Sequence, residues 1–120
     1  MIYLDYSANT PVDPRVLEVY CRTEQNFIGN PNSTHCAGQA ARQEMNRVTG
    51  LIAAQLGVLS EEIIYTSGAT EANNLALKGT ARAARHVGRH IISTPLEHSS
   101  VGATLTALQQ QGYEIDLLNI

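Results

Sequence analysis

The sequence has 120 residues, 43% of them hydrophobic, enough for about one domain around a single core. Eight basic residues against eleven acidic ones leave a net charge of −3. The arginines are scattered, so nothing favours a nucleic-acid partner, which needs clustered cations to neutralise phosphate. No stretch approaches the ~18 apolar residues that span a bilayer, and the first residues carry no basic segment of a secretory signal. A cytoplasmic protein is expected, with Cys21 and Cys36 as free thiols.

Ile2–Leu4 is a short apolar start followed by a polar turn over residues 5–11. Asp13-Pro14 then opens a helix, Asp13 capping it and Pro14 in the first position, where its missing N–H costs nothing. That helix is expected to reach about Gln25 and to bury Val16, Val19 and Tyr20, with Cys21 packed as a small hydrophobe. Residues 27–35 are turn formers almost throughout. A long helix should follow from about Gly38 to Leu56, with Ala41, Met45, Val48 and Ile52 on one face and Gly57 capping its end.

The second half changes rhythm. Ile63-Ile64-Tyr65 reads as a strand, and the turn 66–71 leads into a helix with Ala72, Leu75, Ala76 and Gly79 on one side. Arg82, Arg85 and Arg89 fall at a solvated helix end, where cations favour the carbonyl dipoles. Ile91-Ile92 is the next strand. His98–Gln111 is the next helix, with Val101, Leu105 and Leu108 inward, and Tyr113–Leu118 is a third strand. Alternation of this kind implies an α/β fold, parallel strands joined by right-handed crossovers.

Two features of this half can carry chemistry. Gly68 allows close backbone approach, and Thr70 offers a hydroxyl where a helix begins, so the free N–H groups and the helix dipole favour a phosphate there. The alternative is that Ser67 or Thr70 serves only as an N-cap, with Glu71 in the first turn. His98 follows the second strand by a short turn, and ligands of parallel sheets bind at the carboxyl ends of the strands. An imidazole near such a site can stack on a flat ring or exchange a proton. Equally, a lone histidine can be a surface or capping residue.

Four blocks resemble the cysteine desulfurases of iron–sulfur cluster assembly. They are residues 3–16, Gly29-Asn30-Pro31-Asn32-Ser33 with His35 and Gly38, residues 64–79, and His90-Ile91-Ile92-Ser93 with Glu97-His98. The resemblance implies a fold-type-I pyridoxal-phosphate enzyme of the class V aminotransferase group. This chain would form part of a three-layer large domain, a mostly parallel sheet with flanking helices. Residues 1–13 would be an amino-terminal arm and 14–120 the first part of the cofactor-binding domain. Ala69 and Thr70 would hold the cofactor phosphate, Gly68 would shape the turn, and His98 would stack on the pyridine ring and help move protons. The resemblance assigns no catalytic role to His35 or to Asn9, which stands where the family commonly has threonine.

By the same resemblance, L-cysteine is the substrate, L-alanine the product, and a persulfide passes to a sulfur acceptor or scaffold protein from a homodimeric enzyme. The family also needs a lysine bonded to the cofactor, and the one lysine here is Lys78. Eight residues along a helix from Thr70 is about 12 Å at ~1.5 Å per residue, too far for its amine to serve. The chain is therefore expected to be a fragment, inactive alone, with no metal site. Two other readings are a non-catalytic shortened paralogue that binds a partner, and another class V enzyme such as a selenocysteine lyase.

Overall fold

A computed structural model describes residues 2–119; the two terminal residues lie outside it. The chain divides into two compact units at Ile63/Ile64.

The first unit is helical. Helix α1 (Pro14–Asn26) begins where the sequence places it, with the Asp13 carboxylate accepting the Arg15 N–H. Its expected burial does not occur: Val16, Val19 and Tyr20 are 60%, 50% and 63% exposed, and Cys21 is exposed rather than packed. Among the described residues no other element packs on α1, so its apolar stripe has no surface to cover it. Helix α2 (Cys36–Leu56) ends on Gly57 in the left-handed region, φ 68°, a conformation glycine adopts without steric cost. Ala41 and Ala53 are its buried apolar residues, Val48 and Ile52 are half-buried and Met45 is exposed. Its closing turns meet a 3₁₀ turn, Ser60–Glu62.

The loop 27–35 folds onto the start of α2. Arg42 Nε donates to the Pro31 carbonyl at 2.6 Å and Gln39 Nε2 to that of Thr34 at 2.9 Å. His35 is the N-cap, its Nδ1 accepting the Gly38 N–H at 3.2 Å. Gly29 and Gly38 permit the approach. A Cβ on Gly29 would run into the Ala37 carbonyl group, and one on Gly38 would stand 2.6 Å from the Asn30 and Ser33 carbonyl oxygens.

The second unit is a β–α–β crossover with one further helix. Helix α3 (Ala69–Ala83) packs on α4 (Ser99–Gln109), and strands β1 (His90–Ser93) and β2 (Glu114–Leu117) pair in parallel, His90 opposite Glu114. The core lies beneath α4. Leu108 is fully buried, Leu105 nearly so and Val101 half-buried, as their spacing predicts. Tyr113 is buried too. Its hydroxyl donates to the Ala81 carbonyl at 2.7 Å, and the Arg89 guanidinium lies 5.8 Å from its ring centroid. Gly112, φ 87°, turns the chain from α4 toward β2.

Two expectations for this half need correction. Residues 63–65 form no strand; the sheet among the described residues consists of β1 and β2 alone. On α3, Leu75 and Gly79 are exposed, whereas Asn73, Leu77 and Ala81 are half-buried. The inner face is thus rotated from the apolar stripe read in the sequence.

Candidate functional site

The turn before α3 is built by its own side chains. Thr66 Oγ1 donates to the Gly68 carbonyl at 3.2 Å. The Glu71 carboxylate reaches back to accept both the Ser67 N–H and its hydroxyl, each at 2.7 Å. Those two bonds, the hydroxyl first, hold the Glu71 carboxyl below its ordinary pKa. Ser67 is thereby committed to Glu71, and the N-cap is Gly68 rather than Ser67 or Thr70.

A glycine cap has no side chain to offer, so the helix start stays open. The first intrahelical bond runs from the Ala72 N–H to the Gly68 carbonyl, 3.1 Å. The N–H groups of Ala69, Thr70 and Glu71 precede it, and among the described residues no side chain caps them. The Thr70 hydroxyl makes no hydrogen bond among the described residues, although its carbonyl accepts from Asn74 Nδ2 at 2.9 Å. A Cβ at Gly68 would meet nothing within 4 Å, and its φ of 162° is extended backbone open to any residue. Neither packing nor conformation within the chain demands glycine at this position.

His98 is the N-cap of α4. Its Nδ1 accepts the Ser100 N–H at 3.2 Å and lies 3.0 Å from Ser100 Oγ. Ser100 is buried, and its Oγ accepts from Asn73 Nδ2 at 2.9 Å. Asn73 lies one turn into α3 from Thr70, so this bond ties the amino ends of α3 and α4 together. The sequence places Thr70 and His98 at the ends of neighbouring strands; here it is two helix starts, side by side, that associate them. His98 itself is exposed, with its Nδ1 edge turned back to its own helix.

Asn73 and Ser100 were not among the residues the sequence singled out. The signal was present in Asn73, which is polar yet shares the i, i+4, i+8 row of Leu77 and Ala81. His35 also proves to be a helix cap. Asn9 Oδ1 accepts the Thr10 N–H at 3.0 Å in the turn of the first unit. Lys78 is half-buried in the third turn of α3, and both cysteines are exposed and unpaired among the described residues.

Comparison with known proteins places this geometry in a family. The family model described as aminotransferase class-V matches residues 2–120. The chain belongs to the aminotransferase class-V family. Among class V relatives, the putative cysteine desulfurase IscS 1 of Bacillus subtilis (strain 168) is 44% identical over 119 residues, 99% of this chain and 31% of that protein. Cysteine desulfurase IscS of Aeromonas salmonicida (strain A449) is 45% identical over 120 residues, covering 98% of this chain and 30% of its own length. A solved NifS-like protein superposes with a TM-score of 0.83 at 38% identity, over 94% of this chain and 31% of that one. SspA in complex with cysteine gives 0.82 at 34% identity, over 97% and 33%. The chain thus spans about a third of the length of the class V proteins it matches.

Proposed function

We propose that this chain supplies the phosphate-binding turn and the ring-facing histidine of a pyridoxal-phosphate site in a cysteine desulfurase. The observation that carries the proposal is the uncapped amino end of α3, tied through Asn73 and Ser100 to His98. The names of its relatives give the reaction class. Residues 1–13 act as an arm and 14–120 as part of the large domain of a fold-type-I enzyme.

The residues present fit the cofactor. A phosphate monoester needs donors and positive potential, which the Ala69 and Thr70 N–H groups, the Thr70 hydroxyl and the α3 dipole provide. Open space around Gly68 lets a ligand approach the backbone. The Glu71 carboxylate in the same turn keeps its charge and is held on the Ser67 N–H and hydroxyl. When bound, pyridoxal phosphate supplies an electron sink for bond cleavage on the substrate. His98 contributes a flat, exposed imidazole that can stack on a ring and hold or pass a proton at Nε2.

Lys78 lies about 12 Å along α3 from Thr70 and does not serve as the lysine this chemistry needs. The chain therefore works only with further polypeptide that supplies it, in a cytoplasmic homodimer that takes sulfur from L-cysteine and passes it to an acceptor protein. Titration of the ¹⁵N-labelled chain with pyridoxamine 5'-phosphate, which has no aldehyde to react with amines, tests the site. Amide shifts confined to residues 68–72 and 98–100 are expected. Shifts elsewhere, or equal shifts with the phosphate-free amine, would refute it.

A further inference from the structure

We propose that Asn73 and Ser100 are positioning residues that fix His98 as one neutral tautomer, with Nδ1 bare and the proton on Nε2. A backbone N–H can only donate, so the Ser100 N–H at 3.2 Å requires a lone pair on Nδ1. Ser100 Oγ, 3.0 Å from the same nitrogen, already accepts from Asn73 Nδ2 at 2.9 Å. Its single proton is then directed to Nδ1, giving that nitrogen two donors.

Direction matters here because Ser100 is buried, largely away from water that could take its proton. Thr104 Oγ1 uses the Ser100 carbonyl at 2.8 Å, which locks the first turn of α4 beneath the relay. The Asn73 amide, fixed on the half-buried face of α3, thus decides which way the Ser100 proton points. His98 consequently presents an N–H donor, not a lone pair, at its outward edge. A group facing that edge receives a hydrogen bond and finds no lone pair there to take its proton.

The consequence for chemistry rests on the cofactor reading above, but the tautomer does not. The test is therefore made without cofactor, by long-range ¹H–¹⁵N correlation of the histidine rings at about pH 8.5, where a histidine of ordinary pKa is neutral. Expected are an unprotonated Nδ1 resonance and a protonated Nε2 resonance, well separated. Asn73→Asp offers a carboxylate that takes the Ser100 proton, so Oγ turns its lone pair to Nδ1. Ser100→Ala removes the hydroxyl and leaves the backbone donor. In each variant the two resonances should move toward one another, the tautomer ratio falling about five- to tenfold for one lost hydrogen bond. Averaged resonances in the wild type, or unmoved resonances in both variants, overturn the proposal. A fixed tautomer with no response to pyridoxamine phosphate leaves the relay standing and removes the cofactor reading.

Discussion

Replacing Gly38 by alanine tests whether the second motif block is there for packing. A Cβ at this position would stand 2.6 Å from the Asn30 and Ser33 carbonyl oxygens and 2.8 Å from Ser33 Cβ. Comfortable contact is ~3.5 Å, so the loop must retreat by about 0.9 Å or α2 must tilt. Either movement strains the Ser33 N–H to Asn30 carbonyl bond of 2.9 Å and the His35 cap. Overpacking of this severity costs about 3 kcal/mol, and the gain in helix propensity on leaving glycine returns about 0.8 kcal/mol. The net loss is about 2 kcal/mol, or roughly a 1.3 M fall in the urea midpoint at a slope of ~1.5 kcal/mol/M. Gly50→Ala is the control in the same helix. Its Cβ meets only Ser60 Oγ, at 3.9 Å, so propensity should stabilise it by about 0.5–1 kcal/mol. Urea unfolding followed by far-ultraviolet circular dichroism should separate the two in opposite directions. Equal midpoints would show that the glycine contact carries no energy and that the block must be explained by chemistry.

Thr70→Ala removes a hydroxyl at the proposed phosphate site and should weaken pyridoxamine 5'-phosphate binding about 10- to 100-fold, measured by the same amide titration. Lys78→Arg should leave that affinity unchanged; borohydride treatment with pyridoxal phosphate should give only substoichiometric labelling of Lys78 in the parent chain, by peptide mass mapping. Leu108→Ala empties a fully buried position and should cost about 2–5 kcal/mol in denaturant unfolding. Hydrogen bonds hold three carboxyls below their ordinary pKa: Asp13 through Arg15, Glu44 through Arg47 and Glu71 through Ser67. Each favours the fold above the unfolded-state value and ceases to do so as pH falls through the lower folded-state value. Helix content should therefore drop below about pH 4, and the drop should be shallower in Asp13→Asn and Glu71→Gln.

Local signals were legible in the sequence where a residue type dictates backbone geometry. Asp13-Pro14 starts a helix, Gly57 ends one, and the spacing of Val101, Leu105 and Leu108 finds the face that is buried. Signals that depend on partners were not. The stripe of Val16, Val19 and Tyr20 is amphipathic in sequence, yet burial requires an opposing surface that no described element provides. Ile63-Ile64-Tyr65 has strand composition, but a strand is defined by its pairing. The residues proposed for the cofactor were found through motif and turn chemistry. Asn73 and Ser100 escaped because their meaning lies in a contact across 27 positions, which no local pattern encodes.

Helix α1 has a cap and a proline to begin it but, among the described residues, no neighbour to keep it. Thirteen residues are near the limit at which a helix holds in water unaided. Its order is conditional, and in a cell that condition translates into survival. Arg15 and Arg22 are exposed along it, so a bare chain offers proteases a segment that opens readily. Once another surface covers the apolar stripe, the same segment closes to cleavage. The lifetime of this polypeptide would then report whether it has found its complement.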